Sequence, residues 1–315
     1  MNIKKTIIIL YTVLSVLVLA SCKSSDNNVL QLNLKKGSNY KIHYTNNSKL
    51  NIRVVGKNMG VEDKEDMYIT ISVRDIDSDG NTTLSYQYKS IKVNYSTSAG
   101  SIDYDSKRGR KDPRDSIYKS IIGKNYTVKL NKNGKVLNIK GANNVVNLVD
   151  YNKSLNKEEK ELLRNNLIDN FSDASVENYI EDAMNYMNEN SVKKGDTWHR
   201  KSKLNNSISL DVSSKYKLKK ENDDSLYIVE NDNIANKKED EQVDLNGAKT
   251  KIDLNGKGSG NISVDKKNGL IKESQTKYNV TGTITYMKDE EVGILQDIQS
   301  PINFTEDITY KIVPR

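Results

Sequence analysis

Apolar and polar residues alternate with a period of two along much of the chain. Met67, Ile69, Ile71 and Val73 share one parity, and Tyr68, Thr70 and Ser72 take the other. Successive strand side chains point to opposite faces, so this pattern predicts a strand with one face buried. Residues 40–44 open an earlier strand, 77–81 predict a turn, and 83–93 return as a further strand. Residues 125–130 and 136–139 flank Asn133-Gly134, where glycine supplies the positive φ that a tight hairpin turn needs. Alternation resumes after residue 191, over 208–218, 226–230, 249–254, 260–264, 270–277, 282–287 and 307–313. Asn268-Gly269 predicts another hairpin, and 237–242 a charged loop.

Between these stretches the period changes. Asn156 with Glu159 three residues on predicts a capping box, followed by Leu162, Leu163 and Leu167 on one helical face. Ser175 is placed to cap a second helix. Its apolar residues are Val176, Tyr179, Ile180, Ala183, Met184 and Met187, the spacing of a one-faced amphipathic helix. The stripe reads as core packing, with a binding face as the other reading. The expected organisation is a β-rich half over 31–141, a helical segment over 142–191 and a β-rich half over 192–315. The fold class is α+β: a large curved antiparallel sheet with the helical segment packed against it. Lys35-Lys36-Gly37-Ser38-Asn39-Tyr40 echoes Lys193-Lys194-Gly195-Asp196-Thr197-Trp198. Likewise Gly100-Ser101-Ile102-Asp103-Tyr104-Asp105 echoes Gly260-Asn261-Ile262-Ser263-Val264-Asp265. The nearly equal offsets fit a duplicated β unit, and chance likeness among strands fits them too.

Composition sharpens this picture. The chain has 18 Tyr against 2 Phe and 1 Trp, and tyrosine suits strands, with its ring packed and its hydroxyl wet. Only 3 Pro occur, so long uninterrupted strands are allowed. The formal charge is +7, with both signs interspersed. The densest basic cluster, Arg108, Arg110, Lys111 and Arg114, reads as a solvated loop, or as a contact for anionic headgroups or sugars. No long basic stripe exists to track nucleic acid.

The first residues say where the protein resides. Lys4 and Lys5 precede an apolar run over 7–19, long enough for a secretion signal and too short to span a membrane. Leu19-Ala20-Ser21-Cys22 follows, and it resembles the lipobox of bacterial lipoproteins. The resemblance implies a signal peptide over 1–21, diacylglycerol and palmitate on Cys22, and a lipidated tether over 22–30. Lys23, where an Asp would imply retention in an inner membrane, implies the outer membrane. Cys22 is the single cysteine, and lipidation leaves an exported chain no free thiol to misoxidise.

"KKGSNY", "DSDGNTTLSYQYKSIKV", "NGKVLNIKG" and "VKKGDTW" resemble an uncharacterised family of bacterial envelope lipoproteins across nearly the whole mature chain. That resemblance brings no known activity with it. A bent sheet with helices against it is also similar in plan to carriers that ferry lipoproteins across the periplasm, an analogy of fold alone.

Candidate chemistry is sparse. Asp75, Asp77, Asp79 and Gly80 fit the first half of a calcium loop, but Tyr86 stands where a bidentate Glu belongs, and a hairpin turn explains the same residues. Gly256-Lys257-Gly258-Ser259-Gly260 matches no phosphate loop and predicts a bulge or wide turn. His43 and His199 read as half-exposed strand residues. Trp198 reads as a core anchor rather than a sugar-stacking platform. No catalytic residue, metal or cofactor is expected. The expected role is a membrane-anchored envelope lipoprotein with a non-enzymatic binding or structural role. Its partners are the membrane through the anchor, and a lipid or other apolar ligand, an envelope protein or a glycan. The rival is a hydrolase acting on cell-wall polymer or glycan, which a cleft holding a carboxylate pair of perturbed pKa would favour.

Overall fold

The period-two stretches form long antiparallel strands in a computed structural model. It describes residues 27–54, 57–98, 100–108, 115–144, 146–205, 209–236, 242–245, 248–290 and 293–314. The order is β1 (Asn28–Leu30), β2 (Asn39–Val54), β3 (Lys57–Ile76), β4 (Thr82–Thr97), β5 (Gly100–Asp105), α1 (Asp115–Ile121), β6 (Asn125–Leu130) and β7 (Val136–Lys140). Then come α2 (Leu148–Tyr151), α3 (Lys157–Phe171), α4 (Asp173–Ala183), β8 (Asn188–Val192), β9 (Thr197–Asn205), β10 (Ser209–Glu221) and β11 (Ser225–Asn236). The chain ends with β12 (Gln242–Leu245), β13 (Ala248–Asp265), β14 (Ile271–Tyr286) and β15 (Ile298–Val313).

One sheet takes both β-rich halves, in the order β7-β6-β4-β3-β2-β15-β14-β13-β11-β10-β9, with β5 on β4 and β12 on β13. The pairing of β15 with β2 joins the halves. Helix α4 packs against β7 and against β9, which are the two ends of that order. A sheet whose ends both reach one helix must curl around it, as the expected fold class requires. The small β1–β8 sheet closes one end. There the Leu32 amide bonds the Lys132 carbonyl of the β6–β7 hairpin, and the Asn33 amide bonds the Asn268 carbonyl of the β13–β14 hairpin.

Local signals explain the elements. Asn156 and Glu159 make the expected capping box at α3, and Leu163 and Leu167 are fully buried beneath it. Gly80, Gly134 and Gly269 all adopt positive φ in their hairpins. The two "KKG" turns use the same bonds. Gly37 and Gly195 donate to the Val73 and Leu218 carbonyls, while the Val73 and Leu218 amides donate back to Ser38 and Asp196.

Several expectations are corrected. Ser175 does not cap α4: Ser172 does, its hydroxyl accepting the Ser175 amide, so the helix starts earlier. Met187 lies beyond the helix end at Ala183, yet is buried. Residues 249–254 and 260–264 belong to one strand, β13, and 270–277 and 282–287 to another, β14. Helices α1 and α2 and strands β1 and β8 carried too few residues for a period to show.

Candidate functional site: an apolar slot ending in a buried acidic band

Helix α4 and the concave face of the sheet enclose a cavity of about 160 Å³. From α4 come Val176, Tyr179, Ile180 and Ala183, with Met184 just past its end. The sheet contributes Ile42, Met67, Tyr86, Tyr88, Tyr126 and Tyr310, and Leu32 and Leu34 close one end. The tyrosines brace one another: Tyr86 stacks on Tyr126 at 5.2 Å, and Tyr88 meets Phe171 edge-on at 5.3 Å. The expected wet hydroxyls are not found here. Burial pushes the Tyr86, Tyr88, Tyr126 and Tyr310 hydroxyls up, so they stay neutral.

The other end of the slot is polar, and strand register builds it. Directly paired residues of neighbouring strands share a face. One row across the sheet reads Ser214, Asp232, Gly258, Tyr278, Glu306, Ser48, Asp63 and Tyr95. The next reads Tyr216, Glu230, Gly260, Thr276, Ile308, Asn46, Glu65 and Val93. Two adjacent rows therefore carry five inward carboxylates from β3, β11 and β15. Asp169 of α3 and Asp182 of α4 act on the same groups from above. The band separates the main core from a second apolar cluster that includes Val212, Ile234, Leu254, Val280 and Ile302.

The glycine-rich run, expected as a bulge or turn, is instead a straight part of this band. Register stays continuous on both sides of β13 from Asn255 to Asn261. Gly256, Gly258 and Gly260 share the inward parity, and the carboxylates of Asp232 and Glu230 lie over Gly258 and Gly260. Missing side chains make room here for neighbouring acids.

Some of these acids are partly satisfied. Tyr216 donates to Glu230 at 2.5 Å, and Asn170 to Asp63 at 3.2 Å. Tyr179 in turn donates to the Asn170 side-chain oxygen at 3.2 Å. Oε1 of Glu65, Oδ1 of Asn46, Oδ1 of Asp63 and the Tyr44 hydroxyl are buried with no hydrogen-bond partner. Burial is the first cause that raises the acids, and neighbouring acids add to it at Asp63, Glu65, Asp182, Glu230 and Glu306. Asp63 and Asp182 are raised to about 6, Glu306 to about 7 and Glu230 to about 8. Glu65 is raised well above its ordinary range, and Asp169 and Asp232 are raised as well. Among the described residues no Lys, Arg or His acts on any of the seven.

Cys22 lies outside the described residues, as do Arg110, Lys111, Arg114 and most of the 237–242 loop. Arg108 pairs with Asp103 at 2.8 Å. Asp77 accepts the Asn81 amide at 2.8 Å and pairs with Lys129 at 2.9 Å, while Asp75 pairs with Lys36. His43 stacks on Tyr68 and bonds Asp66, and His199 is exposed on β9 with five strands between them. Trp198 is buried, donates to the Tyr186 carbonyl at 2.9 Å and stacks on Tyr216. Met184 lines the slot, whereas Met187 packs elsewhere in the core. Sequence reasoning missed the acidic band. Its trace was there in parity: Glu230 and Asp232 fall in step with Leu226, Ile228 and Ile234, and Asp63 and Glu65 in step with Met67.

A family model described as a family of unknown function (DUF6263) matches residues 79–271. No curated protein matches the chain. Among solved structures, one described by lipid–protein interactions in lipovitellin aligns at TM-score 0.47 and 11% identity. It covers 90% of this chain, which spans 26% of the lipovitellin chain. OpdQ of Pseudomonas aeruginosa aligns at TM-score 0.17 and 7% identity, covering 89% of this chain and 100% of its own.

Proposed function

Because the chain belongs to DUF6263, a family of unknown function, we propose its role from geometry alone: it binds the apolar part of a small amphiphile, non-enzymatically, in the slot under α4. The observation that carries this is the cavity, walled by aliphatic and tyrosine side chains and closed at one end by Leu32 and Leu34. Each buried methylene adds about 0.8 kcal/mol. A cavity of about 150 Å³ takes a ligand the size of benzene. A longer chain therefore requires Met184 to move aside, and an unbranched thioether does so at small cost.

Ala183→Leu tests the slot by filling it. The processed chain, residues 22–315 with Cys22→Ser, would be titrated with dodecanol and dodecanoate. The filled variant is expected to bind about tenfold or more weakly than its parent, with melting unchanged or raised. Equal binding by both would place the ligand elsewhere.

The slot works at a membrane if Cys22 is lipidated. Cys22→Ser in the full chain is expected to leave an unprocessed precursor without acyl groups. A variant of mature size that still incorporates labelled palmitate would sink this part of the reading.

The hydrolase reading draws on the same carboxylates, since Glu230 is held protonated as a general acid must be. Acid–base pairs, however, need two groups whose pKa values are driven apart. Here all seven are raised together, which supports binding over hydrolysis.

A further inference from the structure

The polar end of the slot gathers buried acids and faces no cation among the described residues. Glu65, Tyr44, Asp182 and Glu230 all line it. Glu65 is only 4% exposed, and its Oε1 has no partner. The Tyr44 hydroxyl beside it is buried and also unpartnered. Across the strand pair, Oδ1 of Asn46 faces the same lack. A buried acceptor without a donor costs about 1–3 kcal/mol, and a buried carboxylate without a cation costs more. Proteins keep such groups where something else completes them.

We propose that this end receives a protonated amine carried on an apolar chain, with the ammonium seated against Glu65 and the chain in the slot. The inference rests on the slot reading and adds the head group. An ammonium brings three donors and one positive charge to a group of acids that no Lys, Arg or His acts on among the described residues. A carboxylate head would add one more like charge, and an alcohol brings a single donor. A bare metal ion fits poorly, because no three carboxylate or imidazole groups converge among the described residues.

The proposal carries a proton balance. Glu65 is faced by Asp63 on its own strand, by Glu306 of β15 and by Asp169 of α3. The hydroxyls of Tyr44 on β2, Tyr88 on β4 and Tyr179 on α4 also face it. All of these are acidic or neutral and all are raised by burial. An arriving cation favours their ionised forms, so binding releases protons and strengthens as pH rises through about 6 and about 7, where Asp63 and Glu306 lose theirs.

The test compares dodecylamine, dodecanol and dodecanoate below their micelle concentrations. Calorimetry would use the processed chain, residues 22–315 with Cys22→Ser. Dodecylamine is expected to bind about tenfold or more tightly than dodecanol near pH 8, with proton release visible as a buffer-dependent heat. Glu65→Gln is expected to collapse the amine-to-alcohol ratio toward one. Should Glu65→Gln fail to fold, Tyr44→Phe removes a second contact and is expected to narrow the ratio. A wild-type ratio near one with dodecanol still bound would overturn the amine inference and leave the slot standing. Failure of all three probes to bind would overturn both.

Discussion

Glu230→Gln is expected to raise the melting temperature near pH 8 and to leave it almost unchanged near pH 4. Burial, and then Asp232, hold the Glu230 carboxyl at about 8 against an ordinary 4.5. A raised folded pKa means that the folded state keeps a proton the unfolded chain gives up. The stability from that proton is fully present below about pH 4.5, falls through the window up to about pH 8, and is gone above it. At pH 7 the unfolded chain gains roughly 3 kcal/mol by ionising this one group. An amide removes that gain, keeps an acceptor for Tyr216 and offers a donor toward Asp232. For a chain of this size roughly 3 kcal/mol corresponds to about 5 °C or more. The wild type is accordingly expected to melt lower as pH rises from about 5 to about 8. Asp77, Asp75 and Asp150 do not alter this trend, because hydrogen bonds from Lys129, Lys36 and Arg164 hold them low and ionised across the whole window. Their contribution fades only below about pH 4. Thermal melts of both proteins at three pH values check the prediction. A variant that melts at or below the wild type near pH 8 would show that Glu230 is ionised and satisfied.

The second large effect is expected at the inward glycines of β13. A Cβ on Gly258 would lie 2.7 Å from the Tyr278 ring and would also press on the Asp232 carboxylate. Gly258→Val should cost about 3 kcal/mol or more, because both neighbours are buried and one of them must shift. Gly37→Ala separates this from backbone strain. Gly37 has φ +85° with nothing within 4 Å of its would-be side chain, so only the left-handed backbone resists, at about 1–2 kcal/mol. Urea denaturation measures both. If Gly258→Val cost no more than Gly37→Ala, the tight packing of the band would be wrong.

Local chemistry was legible in the sequence because each of its signals lies within a few residues. The alternation at Met67 to Val73 marks β3, and the pair Asn156 and Glu159 starts α3. Gly134 and Gly269 turn hairpins, and the twin "KKG" turns form the same hydrogen bonds at Gly37 and Gly195. Where a signal was ambiguous, the nearer competitor won. Ser172 took the cap from Ser175, since its hydroxyl reaches the Ser175 amide at 3.1 Å.

The site was set at a longer range. Glycine at 256, 258 and 260 reads as a break when seen along the chain. Only the neighbouring β11 and β14, with Asp232, Glu230 and Tyr278, turn those absent side chains into space that is filled. The acidic band is drawn from three strands and two helices, and no window of sequence contains it. By itself the sequence determined strand parity, turn positions and helix capping, because those depend on bonds between near neighbours. Only the tertiary structure decided which acids are buried, because a carboxylate's solvation depends on which strands lie beside it and whether a helix covers it.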